Sequence, residues 1–214
     1  MNSCQSAHIF WNTSVSAINQ TVKVNAIGPA TYFPIAWNEG YLGVLTNGNS
    51  VSGSTGSTAV FSIAGDGVTV APVNGLPNPN CTGGFDGSPG VSCHVPLPAP
   101  ILVGNVYTYR VTPQADGFIR GEVVPTTGGP ITIALIHPAP GTPASFNRVY
   151  NFIESFGAPV GAGALVPKST IDFGQPEATA NIGYVDRLLG ACATASNNGT
   201  WGLVLSMGGS GCGF

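Results

Sequence analysis

Glycine and proline recur so often along this chain that helices of ordinary length have little room to form. There are 31 Gly and 18 Pro among 214 residues, and both are costly inside a helix. Between them lie short runs that alternate every second residue, the spacing of strands with one buried face. "QTVKVNAI" sets Val22, Val24 and Ala26 against Thr21, Lys23 and Asn25. "VYTYRVTPQ" sets Val106, Thr108 and Arg110 against Tyr107, Tyr109 and Val111, and the face shared by the two tyrosines predicts core packing. "SAHIFWN", "ATYFPIAWN", "YLGVLTN", "STAVFSIAG", "FIRGEVVP", "ITIALIHP" and "TWGLVLSMGG" read as further strands.

Some nine to eleven short strands at this spacing predict an all-β fold, a two-sheet β-sandwich or jelly roll. One short helix is expected near residues 145–156. Ser145 can cap it, Phe146, Val149, Tyr150 and Ile153 fall at helical spacing, and Gly157 ends it. The Pro- and Gly-rich stretch over residues 73–100 reads as a long surface loop. Residues 1–214 are expected to form one domain. Its core spans 6–157, a composition shift falls at 157–167, and residues 165–214 add strands and a disulfide-closed C-terminal loop.

Charge is scarce. Only 7% of residues are charged, against roughly 25% in an average soluble protein. The surface must then be made of Ser, Thr, Asn and Gly, which points to a secreted or cell-surface location. The net charge of −3 and six scattered cations give no basic patch, which argues against nucleic-acid binding. No apolar run approaches the roughly 18 residues of a membrane span. The start "MNSCQSAHIFW" reads as a mature N-terminus carrying an added Met. None of the five cysteines lies in a Cys-x-x-Cys pair, which argues against zinc. Local spacing suggests Cys81–Cys93 and Cys192–Cys212, although four cysteines allow three connectivities. Cys4 is left free or available to link chains into an oligomer. Asn12, Asn19, Asn80 and Asn198 stand in glycosylation sequons.

The order of motifs resembles a secreted family, domain of unknown function 3472. The pieces that carry the resemblance are "SAHIFWN", "TYFPIAWNEGYLGVL", "TAVFSI", "GGFDGSPGVSC", "GNVYTYRV" and "FNRVYNFIESFG". They cover residues 6–157 and depart from the family in abundant Pro, sparse charge and the two Cys around the Gly-rich loop. The resemblance implies a secreted, β-rich domain closing on a short helix. It implies no established activity and transfers no catalytic residue.

Candidate chemistry is thinly spread. Of nine acidic residues, Glu39 with Asp86 or Glu122 is the pair to consider for a carbohydrate-active hydrolase or lyase, which needs two facing carboxylates. Asp66 and Asp116, in "GDG" and "ADG", read as turn residues. Ser92 beside His94 suggests a nucleophile and base, but no Gly-x-Ser-x-Gly elbow frames it. His8, His94 and His137 form no short-spaced metal pair. No cofactor is expected beyond a structural calcium held by loop oxygens. The aromatics of the first strands are more suggestive. If exposed, Trp11, Trp37 and Tyr41, beside Asn38, Glu39 and Asp86, suit stacking on sugar rings. The first expectation is therefore a non-catalytic module binding a glycan or cell-surface polysaccharide. A structural or host-interaction protein comes second, and an enzyme third. Glu39 is expected at a hairpin tip, with Gly40 supplying the unusual backbone angles.

Overall fold

A computed structural model of the chain describes residues 5–46, 56–142, 145–155, 168–177, 185–186, 194–197 and 203–207. These form two antiparallel sheets, with no helix among the described residues. The alternation read in the sequence explains why. Each run presents an apolar row to the space between the sheets, and the two rows bury each other.

The first sheet holds nine strands. They are β1 (Gln5–Phe10), β3 (Thr31–Tyr32), β4 (Ile35–Trp37), β5 (Gly40–Leu45), β6 (Thr58–Ala64), β8 (Cys81–Phe85), β9 (Ser88–Pro96), β13 (Tyr150–Ser155) and β15 (Val185–Asp186). Their order is β15-β1-β13-β3-β5-β6-β9-β8, with β4 bridging β13 and β5. The second sheet contains β2 (Ile18–Ala26), β7 (Thr69–Val70), β10 (Val106–Pro113), β11 (Ile119–Pro125), β12 (Ile131–His137), β14 (Ser169–Phe173), β16 (Thr194–Asn197) and β17 (Leu203–Met207). Its order is β16-β17-β14-β2-β10-β11-β12-β7. Strand count exceeds the nine to eleven expected, partly because strands of two or three residues carry no readable period.

Between the sheets lie Ala7, Ile9, Ile35, Leu42, Phe61 and Ile153 from the first, and Val22, Val24, Tyr109, Val111, Ile171 and Phe173 from the second, all buried. Tyr107 and Tyr109 are core residues, as their shared face predicts. The Tyr109 hydroxyl donates to the Phe33 carbonyl at 2.9 Å.

Polar groups also join the two layers. Gln20 of β2 and Asn151 of β13 are both fully buried. Gln20 Nε2 donates to Asn151 Oδ1 and Asn151 Nδ2 donates to Gln20 Oε1, each at 2.8 Å. The Trp11 indole donates to the same Asn151 oxygen at 2.7 Å. The remaining amide protons reach the Pro34 carbonyl at 2.9 Å and the Gly174 carbonyl at 2.7 Å.

Two expectations are corrected here. The helix near 145–156 is absent: residues 150–155 form β13, paired with β1 on one side and with β3 and β4 on the other. Asn151, Ile153 and Ser155 point inward while Tyr150, Phe152 and Glu154 point outward. Both faces carry large side chains, so a helical spacing of apolar residues arises without a helix. The stretch 73–100 is not one loop. It contains the β8–β9 hairpin, closed by the expected Cys81–Cys93 disulfide between directly paired residues. Cys4, Cys192 and Cys212 lie outside the described residues.

The amide network gives a measurable expectation. Asn151→Ala strands donors of Gln20 and Trp11 at a fully buried position, so it should cost about 3–5 kcal/mol in denaturant unfolding. The Gln20→Leu/Asn151→Leu double variant, which removes both partners, should cost less than that single change. A loss below about 1 kcal/mol for Asn151→Ala would contradict the role assigned to the network.

Candidate functional site

The outward face of the first sheet gathers side chains that the sequence scatters. Glu154 on β13 lies directly opposite Tyr32 on β3. The Tyr32 ring meets Tyr41 of β5 edge-on at 5.6 Å and Phe152 at 5.8 Å. Tyr32, Leu45 and Val60 are buried in a small apolar cluster on this face, with Tyr41 and Phe152 against it. The β8–β9 hairpin then curls over the face. Its tip is the two-residue turn Asp86-Gly87, with φ of 46° and 83°, the left-handed pair that Asp-Gly favours in tight hairpins. Phe85 packs on Tyr41 at 5.1 Å although β8 is three places from β5 in the sheet. The Tyr41 hydroxyl donates to Asp86 Oδ1 at 3.4 Å. Beneath it, Ser62 donates to Ser92 at 3.0 Å, and Ser92 to the Gly84 carbonyl at 3.0 Å.

Glu154, Tyr32, Tyr41 and Asp86 thus form a line across one face, with a carboxylate at each end and two phenols between. Burial pushes the Tyr32 phenol well above its ordinary range, reinforced by the nearby Tyr41, Tyr109, Asp86 and Glu154. Burial pushes Tyr41 up to about 12, against the opposing pull of Ser62. Both phenols therefore remain protonated donors at any physiological pH.

Beyond Phe152 the face continues as four nearly parallel rings. His8 lies 5.2 Å from Phe152 and 5.7 Å from Tyr150, with interplanar angles of 17° and 14°. Phe10 stacks on Tyr150 at 5.1 Å. The rings turn their faces to one another. Ser6, opposite Glu154 across β1 and β13, lies 3.0 Å from His8 Nε2. At this end two adjoining clefts share Phe10 and Arg148: one of about 320 Å³ with Trp37, Asn38, His8 and Tyr150, another of about 430 Å³ with Trp11 and residues 12–14.

The residues singled out from sequence are partly separated by the fold. Trp11 and Trp37 are buried, at 2% and 3% exposure. Trp11 aims its indole inward to Asn151, and Trp37 packs on Phe146. They reach the clefts only as walls and offer no open ring face, which corrects the expectation of exposed tryptophans. Asn38 and Glu39 form the turn between β4 and β5, Asn38 exposed and Glu39 half-buried. Partial burial pushes the Glu39 carboxyl up. Gly40 is not in the left-handed region, contrary to expectation. Its role is close approach, since an added Cβ would come within 2.3 Å of the Ser62 carbonyl oxygen. Glu122 is on β11 of the other sheet, where it accepts from Thr132 at 3.0 Å. It does not face Glu39 or Asp86. Asp86 and Tyr41 do meet. Glu154 was not singled out by the sequence, and His8 was weighed there only as a metal ligand; with Tyr32 they share one face because of the strand order. Among the described residues no group of three His, Cys, Asp or Glu is placed to hold a metal ion.

No family model matches the chain, and no curated protein does. Among solved structures it is similar to scytalido-glutamic peptidase with a transition state analog inhibitor, at 14% identity over 96% of this chain and 98% of that chain, with a TM-score of 0.48. It is also similar to that peptidase with a peptide-based transition state analog, at 11% identity, the same coverage and a TM-score of 0.46. The expectation of a non-catalytic glycan-binding module is corrected. The tryptophans it needs are in the core, and the surface rings spend their faces on each other.

The tyrosines give a pH expectation. A phenol whose pKa is higher folded than unfolded keeps its proton longer in the native state. Its stabilising contribution is complete below about pH 10, the unfolded value, and is lost as pH rises toward the folded value. For Tyr41 that window is pH 10 to about 12. Phenolate absorbance should therefore appear together with loss of native circular dichroism. A full tyrosine titration at pH 10 in a still-folded protein would contradict this.

Proposed function

We propose that this protein is a secreted hydrolase of acyl bonds, with its substrate lying across the outward face of the first sheet. The observation that carries the reading is the line Glu154–Tyr32–Tyr41–Asp86. Glu154 and the position of Tyr41 are two strand spacings apart, roughly 10 Å, with Asp86 beyond. Neutral phenols between two carboxylates suit an acyl carbon, whose oxygen gains negative charge as water adds. Glu154 takes the proton from a water as it attacks the carbonyl, and returns it to the departing amine or alkoxide as the acyl C–N or C–O bond breaks. Tyr41, half-buried, turns its single hydroxyl proton from Asp86 to the oxygen that gains negative charge, in a partly dry site where such a bond is strongest. Asp86 holds that phenol in place beforehand, and the buried Tyr32 ring backs it edge-on.

Export is supported by the Cys81–Cys93 disulfide, which persists in oxidising compartments, and by the scarcity of charge.

A panel of fluorogenic peptides and esters tests the reading. Turnover should fall by about a hundredfold in Glu154→Gln, and about tenfold or more in Tyr41→Phe. Asp86→Asn keeps a residue that tolerates the turn, so it should lower kcat with an unchanged melting temperature. No turnover on any panel member, or full activity in Glu154→Gln, would overturn it.

A further inference from the structure

The two clefts at the β1 end of the face hold one feature at odds with the rest of the molecule. Only six residues of the chain are Lys or Arg, yet one of them, Arg148, lines both clefts. Among the described residues the other walls are aromatic rings, amides, hydroxyls and His8, with no carboxylate. Arg148 is exposed, and its backbone sits at φ 51°, a conformation that costs energy for a side chain of this kind. Its neighbour Val149 is fully buried, and the Val149 carbonyl accepts from the Trp11 amide at 2.8 Å. The strained residue is thus anchored on its C-terminal side. The guanidinium is close enough to Tyr150 for its charge to favour the phenolate, against the larger effect of burial.

The neighbouring rings narrow the ligand. His8, Phe10, Tyr150 and Phe152 stand nearly parallel with their faces engaged. They leave edges and slots rather than the open platform a sugar ring needs. Such slots admit side chains and flat amide groups, and a guanidinium at their end binds a carboxylate with two parallel hydrogen bonds.

We propose that the Arg148 cleft is a subsite for a carboxylate of a peptide substrate, either an acidic side chain or the chain terminus. It rests on the reading of this face as the substrate-binding face. Tyr150, His8 and Asn38 line the entry, and the ring row connects it to Phe152 and Tyr32, so a peptide seated there extends toward Glu154. The subsite confers a preference for acidic peptides.

Calorimetric binding to the full chain carrying Glu154→Gln, which should turn the ligand over about a hundredfold more slowly, tests this with three probes. The first is a peptide blocked at both ends with a single Glu. The second is the same peptide with Gln. The third has neutral side chains and a free terminal carboxylate. One carboxylate probe should bind about tenfold tighter than the Gln probe, the scale of a charge-assisted pair, and which one does so identifies the source. Arg148→Asn, a residue that tolerates the left-handed backbone, should abolish that preference, while Arg148→Lys should keep part of it. Equal binding of all three probes, binding of none, or a preference that survives Arg148→Asn overturns the proposal. A preference without turnover by the unaltered protein leaves the subsite standing and overturns the hydrolase; turnover without a preference does the reverse.

Discussion

A reciprocal amide pair, Gln20 with Asn151, joins the two sheets at a point sealed from water, and the outward face depends on it. Strand side chains alternate, so fixing Asn151 inward sends Tyr150, Phe152 and Glu154 outward. A slip of one residue in β13 would bury Glu154 and expose Asn151 with its partners unmet. Hydrophobic burial alone does not protect against that slip, because the residues on both faces of β13 include large apolar groups. The buried amides do, because they have partners in one register only. The network therefore acts as a register key, and its value to the site lies in placement as much as in stability.

A second layer of organisation follows from sheet order. β3 and β4 are short, and β13 pairs with both, so residues distant in sequence become lateral neighbours. Tyr32 receives Phe152 and Glu154 from β13 and Tyr41 from β5. Glu154 and Asp86 lie toward Tyr32 and Tyr41, while Arg148 stands at the clefts beside His8 and Phe10.

The sequence made part of this legible. The alternation in "QTVKVNAI" and "VYTYRVTPQ" led directly to β2 and β10, and the hairpin around Glu39 was visible in its flanking strands. The Cys81–Cys93 pairing followed from proximity along the chain. Other features were hidden for physical reasons. "RVYNFIES" has apolar groups on both faces, so period alone does not separate a central strand from a helix. Alternation tells which face a residue occupies but not how deeply it lies, so Trp11 and Trp37 read as available rings when they are core. Glu154 looked like one acid among nine, because its partner Tyr32 is brought near only by the pairing of β13 with β3.

The tip of the β8–β9 hairpin has an evolutionary side. Its first turn position requires a left-handed backbone, which among side-chain-bearing residues only Asp and Asn adopt readily. One nucleotide-scale exchange between those two would leave the hairpin's shape intact while removing a negative charge from above Tyr41. Descendants of such a gene can lose or regain an acid at this spot without refolding anything, so chemistry and architecture are free to evolve separately there.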